Sequence, residues 1–287
     1  MVLSQQDYDI AKQRIVNRFL KVNILNFDYK VVDEISGNVT DFDVNIDADS
    51  DIRRTCTVEI VVTNSSFDIQ AGNKIWLDKY IQPYIGIQNI RTGKIQWYNQ
   101  GIYLIDNPSW QYDAEHNTLS FSAVDLMAKM TGLRNGNLTG VPYVIPQGSN
   151  IREAIITTIG LAGFDKYVVD DCKQRDGTVI TTPYEIKIDQ GGTVYDILAE
   201  LRDILPQYEM YFDVDGVFHY HYIPTGEDEP VDVDDDLWNA ILSSEQITTD
   251  FESVKNVIEV WGRDMDTDQP HATAKEENPD SPFYIGG

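Results

Sequence analysis

The sequence predicts a mainly β protein: an antiparallel barrel or sandwich, then a small α+β domain, then a return to β structure. Three observations carry this. Apolar residues alternate with polar ones over long stretches of the first half, as in Phe42, Val44 and Ile46 against Asp41, Asp43, Asn45 and Asp47, which is the period of a half-buried strand. Turn signals recur at short spacing, at Gly37, Asn64-Ser65-Ser66, Gly72-Asn73, Thr92-Gly93 and Asn107-Pro108. Such punctuation between short strands marks antiparallel rather than parallel sheets. Helical periodicity with good caps is confined to the N-terminus and to the stretch after residue 145.

Residues 1–20 read as an amphipathic N-terminal helix. Ser4 and Asp7 form a capping pair, and Tyr8, Ala11, Ile15 and Phe19 recur at helical spacing. A β domain is expected over 21–132, where a second alternating strand places Cys56, Val58, Ile60 and Val62 on one face and Thr55, Thr57 and Glu59 on the other. It closes with Leu119, Phe121 and Ala123, then a helical turn from Asp125 to Met130 that Gly132 ends. An α+β domain is expected over 145–224. Asn150 and Glu153 open its first helix, which carries Ile151, Ala154, Ile155 and Ile159, and Thr193 caps a second with Val194, Ile197, Leu198, Leu201 and Leu205 on one stripe before Pro206. A short β region covers 178–188, and a hairpin pairs Glu209–Phe212 with Val217–Tyr222 through Asp213-Val214-Asp215-Gly216. Residues 225–287 read as an acidic segment returning to β structure, with Ser243–Ser253 leading into a strand at Asn256–Trp261. A polar stretch from Glu276 to Gly287 then completes no visible domain.

Composition narrows the function. The 287 residues carry 47 acids against 22 bases, a formal charge of −25, and an acidic surface repels nucleic acid and anionic membranes. The final 65 residues hold 17 acids and 3 bases, so −14 of that charge is local. At 42% hydrophobic the chain has material for a core and is not disordered throughout. It has no apolar run long enough for a membrane helix, and Asp7, Asp9, Lys12 and Arg14 stand where a signal peptide would be apolar. Cys56 and Cys172 form neither a disulfide framework nor a metal motif.

The candidates for chemistry are few. Asp213-Val214-Asp215-Gly216 resembles the opening of a calcium loop, but the next residues form a strand, and the plain reading is a hairpin turn. His219 and His221 project from one strand face and could hold a metal only with a third ligand; opposite them Phe218, Tyr220 and Tyr222 face the core. Gly191-Gly192 precedes a helix without the lysine of a phosphate loop, and neither cysteine has an electropositive setting. Carboxylates abound, as in Glu227–Asp236 with seven acids in ten positions, but that run is most simply solvated. Trp76, Trp97, Trp110 and Tyr112 could stack on sugar rings, or serve as sheet-face residues. No catalytic, cofactor-binding or metal residue is assigned.

The order of parts, with the phrase Phe251-Glu252-Ser253-Val254-Lys255-Asn256-Val257-Ile258-Glu259-Val260-Trp261-Gly262, resembles the tail hub, or baseplate hub, proteins of bacteriophages and related contractile machines. Leu119–Gly132, with Ala123-Val124-Asp125-Leu126-Met127, and the closing Asn278-Pro279-Asp280-Ser281-Pro282-Phe283 are similar to siphophage members. The resemblance implies a tube-like first barrel, the insert, and the start of a second barrel, with no enzymatic activity and no cofactor. It also implies a homotrimeric ring at the virion tail tip, touching the distal tail protein, the tape measure and a spike or fibre. DNA passes through such a ring without being specifically bound, and nothing inserts into a membrane. A second barrel needs about 100 further residues, so either a C-terminal half is missing or another subunit completes it. Two other functions are weighed against this one, a carbohydrate-binding module and a cell-wall glycan hydrolase.

Overall fold

The computed structural model describes residues 4–115, 117–140, 142–174, 176–224, 255–262 and 271–284. The chain divides into two compact units, Met1–Asp228 and Glu229–Gly287. The first is mainly β with a small α+β part.

The N-terminal helix α1 (Gln5–Ala11) begins at the expected cap, with the Ser4 hydroxyl and backbone N–H both donating to the Asp7 carboxylate, at 2.6 and 2.8 Å. The expectation of a helix through residue 20 is corrected: β1 (Arg18–Leu25) takes over. Between them the Gln13 carboxamide donates to Gln88 O at 3.0 Å and accepts from Ile90 N at 2.7 Å, holding the chain beside the sheet instead of in a further turn. Phe19 pairs opposite Gly86 in the β ladder and stays 39% exposed, so its helical spacing from Ile15 carried no packing. Two sheet partners outweigh the local periodicity of an isolated short helix.

Eight strands form one antiparallel sheet. They are β1, β2 (Val31–Ser36), β3 (Val39–Ile46), β4 (Arg54–Val61), β5 (Tyr80–Gln88), β6 (Ile95–Asn99), β7 (Tyr103–Tyr112) and β8 (Asn117–Asp125), ordered β2-β1-β5-β7-β8-β4-β3 with β6 also on β5. The alternation in β4 and β8 packs as predicted: Cys56, Val58 and Ile60 are buried beside Leu119, Phe121 and Ala123. Val22 and Ile35 from one end of the strand order share that core with Val39 and Phe42 from the other, so the sheet curls on itself. Yet β2 and β3, joined only through Gly37-Asn38, are not paired with each other, and both keep a free edge among the described residues. Pro83 sits in an inner strand because β7 pairs with β5 at Tyr80–Ile81 and β6 at Tyr84–Gln88; the proline, which lacks an N–H, falls in the gap between the two ladders.

The α+β part follows a 3-10 turn, Leu126–Lys129, capped by Asp125. It contains β9 (Tyr143–Ile145), α2 (Ile151–Leu161), β10 (Tyr167–Val169), β11 (Ile186–Ile188), α3 (Val194–Ile204), β12 (Tyr208–Phe212) and β13 (Phe218–Tyr222). Asn150 caps α2, and Thr193 with Asp196 forms a reciprocal capping box on α3. The expected β region at 178–188 reduces to β11, paired with β9, and two isolated bridges at Val179 and Thr181. β13 is the middle strand of a three-stranded sheet, antiparallel to β12 and parallel to β10.

The two parts share an interface that alternation alone does not announce. At the ends of β1 and β5, Ile24 and Ile81 belong to the sheet core, whereas Leu25 and Tyr80 belong to the core of the α+β part. The sheet is thus buried on both faces there.

The second unit shows one hairpin, β14 (Val257–Trp261) with β15 (His271–Lys275), in register from Val257↔Lys275 to Trp261↔His271. The Trp261 and His271 rings stack at 4.6 Å. β14 matches the expected strand at Asn256–Trp261; the acidic run Glu227–Asp236 and the stretch Ser243–Ser253 lie outside the described residues.

Candidate functional site

A polar cluster gathers where the β12–β13 hairpin meets the curled sheet. Arg54 opens β4 and Arg53 directly precedes it. The buried Arg54 guanidinium donates to the carbonyls of Phe212 and of Asp213, the latter at 2.7 Å, while its backbone N–H donates to the buried Asp125 carboxylate at 3.1 Å. Arg53 lies 5.0 Å over the Tyr211 ring and pairs with Glu209 at 2.6 Å. Asn99 donates to Val214 O at 2.8 Å and to Asp215 at 3.0 Å. Gly216, at φ +76°, lets the hairpin tip lie against the sheet, since a Cβ there would come within 3.1 Å of Ile102 and 3.2 Å of Leu126. Tyr195 of α3 adds a bond to Asp51 at 2.7 Å.

His219 and His221 do share the outer face of β13, as the alternation predicted, but the structure gives each its own carboxylate. His219 Nε2 lies 3.1 Å from Asp213 and His221 Nε2 lies 3.0 Å from Glu209. Tyr211 stacks on His219 and meets His221 edge-on, and the imidazole centroids are 6.1 Å apart. No group of three metal-ligating side chains occurs among the described residues. The Asp213 carboxylate accepts from the backbone N–H of Asp215 and of Val217, each at 2.9 Å, closing a hairpin turn rather than a calcium loop.

Burial alone would raise Glu209, but Arg53 and His221 together hold its carboxyl below the ordinary value of 4.5. A lowered folded-state value means stability that is present above about pH 4.5 and lost as pH falls through the folded value. Wild-type melting temperature is therefore expected to drop more steeply below about pH 4.5 than that of Glu209→Gln. Parallel pH profiles for the two proteins would show that the pair contributes nothing.

The remaining candidates separate cleanly. Cys56 and Cys172 are buried, and burial pushes their thiols up to about 12 and about 11 respectively, away from reactivity. Asp41 and Glu59 face each other across β3 and β4 beside a groove of about 300 Å³, and both are solvent-exposed. Trp76 and Trp97 are half-buried, and Trp97 packs over Gly86 beside Lys21. Trp110 and Tyr112 form an exposed pair, with centroids 6.1 Å apart. The Arg53–Arg54 clamp escaped the sequence reading, although two adjacent arginines in so acidic a chain were a visible signal. No described helix is long and apolar enough to cross a membrane.

The sequence matches no protein-family model and no curated protein. Among solved structures, the fold is similar to a tail protein from Neisseria meningitidis MC58, at TM-score 0.48 and 13% identity over 93% of this chain and 69% of that one. It is also similar to a 43 kDa tail protein of prophage MuSo2 from Shewanella oneidensis, at TM-score 0.44 and 14% identity over 71% and 53% of the two chains. A third likeness is to the Francisella PdpA–VgrG complex in its half-lidded form, at TM-score 0.44 and 15% identity, covering 88% of this chain and 38% of that one. The chain thus spans about half of the second protein's length and less of the third's.

Proposed function

We propose that this chain is a structural component of a phage tail tip, a hub ring that continues the tail tube toward a spike or fibre and lets DNA pass. The observation that supports it most is the curled eight-stranded sheet with β2 and β3 unpaired at its two edges, braced from outside by the α+β part. Free edges are natural places for strand pairing between subunits, and head-to-tail contacts that close give rings. The charge of −25 suits a conduit, because an acidic lumen repels phosphate. The reading assigns no catalytic residue, and its partners are further copies of the chain and neighbouring tail proteins.

Light scattering over a concentration series tests it. A trimer at high concentration that leaves a DNA fragment unshifted at physiological salt is the expected result. A chain that stays monomeric at every soluble concentration, or that retards DNA, would overturn the ring.

A further inference from the structure

A cavity of about 600 Å³ opens beside the far end of the β12–β13 hairpin, away from the arginine clamp. Its walls include Gln174, Ile180, Leu205, Gln207, Tyr208 and Tyr222. This volume is in the range of small-ligand sites. Tyr208 and Tyr222 face each other across the hairpin with rings 5.7 Å apart and inclined at 70°, so they present two aromatic surfaces at a steep angle. Tyr208 is also stacked on Tyr220 at 5.2 Å, which holds its plane. Among the described residues the buried Tyr220 hydroxyl beneath finds no hydrogen-bond partner, whereas buried hydroxyls are usually satisfied.

The polar part of the wall selects a ligand. The carboxamides of Gln174 and Gln207 make no hydrogen bond to any described residue, and each offers both donors and an acceptor. Groups that both donate and accept match hydroxyls, whereas Ile180, Leu205 and the tyrosine rings match C–H faces. A pyranose ring combines those two surfaces. Negative ligands are disfavoured: the Lys173 ammonium on the rim is already bonded to Asp171 at 2.6 Å, and Asp170 and Asp176 stand close by in sequence. We propose that this cavity is a binding site for a neutral sugar residue of a glycan. The site differs from Trp76, Trp97, Trp110 and Tyr112, and it does not depend on how the chain assembles.

The test titrates the full chain, followed by amide chemical shifts and saturation transfer, with chitotriose, maltotriose and a galactose oligomer as neutral probes. Glucuronate and a proline-rich peptide serve as contrasting probes. At least one neutral oligosaccharide is expected to bind with a Kd on the order of millimolar or tighter, shifting amides at 173–174, 206–208 and 222. Gln207→Ala, at an exposed position, should weaken it about fivefold, the worth of one hydrogen bond; Tyr222→Ala should weaken it at least about tenfold through lost ring contact. Should Tyr222→Ala fail to fold, the Gln207 variant decides alone. The proposal is overturned if no neutral probe binds, if binding survives Gln207→Ala unchanged, or if only glucuronate or the peptide shifts these amides.

Discussion

Phe218→Ala is expected to destabilise the first unit by about 3–5 kcal/mol, the usual cost of emptying a fully buried phenylalanine site. Phe218 is 0% exposed on the middle strand of the three-stranded sheet. Its ring meets Phe212 edge-on at 5.5 Å, and Phe212 in turn meets Phe164 at 4.7 Å. The neighbours are held by two ladders and by α2, so they cannot collapse into the space, and lost contact area adds to lost transfer energy. At about 2–4 °C per kcal/mol for a unit of this size, the melting temperature should fall by roughly 10 °C. Val168→Ala, on the exposed face of β10, should move it by less than about 2 °C. Equal effects of the two changes in a thermal melt would mean that the packing described around Phe218 is wrong.

The second large effect is expected at Arg54. Arg54→Met keeps most of the side-chain volume and removes the guanidinium, leaving the buried Phe212 carbonyl without its donor and the Asp213 carbonyl with only the Gly216 N–H, at 3.2 Å. One unsatisfied buried acceptor costs about 1–3 kcal/mol and the lost bond to Asp213 about 1 more, so a loss of about 2–4 kcal/mol is expected. Asp125 gives that loss a pH signature. Burial raises its carboxyl above the ordinary value; the N–H groups of Met127 and Arg54, and then the Arg54 charge, oppose the rise. A raised folded-state value makes the buried carboxylate a burden at neutral pH that lifts as pH falls through that value. Without the Arg54 charge the burden grows, so the difference between wild type and Arg54→Met should shrink on acidification. Hydrogen exchange separates this from a general loosening: amides of β12 and β13 should open before those of β4 and β8. Uniform loss of protection across both parts would rule out a local clamp.

How much of this was legible beforehand follows from the range of each interaction. The capping boxes at Thr193 and Ser4 and the alternation of β4 and β8 were readable because each depends on residues a few positions apart. The hairpin turn was readable for the same reason, with Asp213 serving its own loop. The end of α1 was not, because β1 is claimed by two strands distant in sequence, and Phe19 fits helical spacing as well as strand spacing. The metal reading of His219 and His221 stayed open in the sequence, since which carboxylate faces which imidazole depends on the cross-strand pair Glu209↔His221 and on the turn.

Local patterns were enough for the caps, the inward faces of β4 and β8, the helices α2 and α3 and the net acidity, all consequences of short-range geometry and composition, but not for β3, whose Ile46 lies 66% exposed. It took the assembled fold to bury the ends of β1 and β5 on both faces, to bring Arg53 and Arg54 onto a hairpin 156 to 159 residues away in sequence, and to line one cavity with two tyrosines and two carboxamides that bond to no described residue. Each of these joins surfaces from separate elements. Their proximity is set by how a curled sheet and an α+β part exclude water between them, and no local pattern encodes that choice.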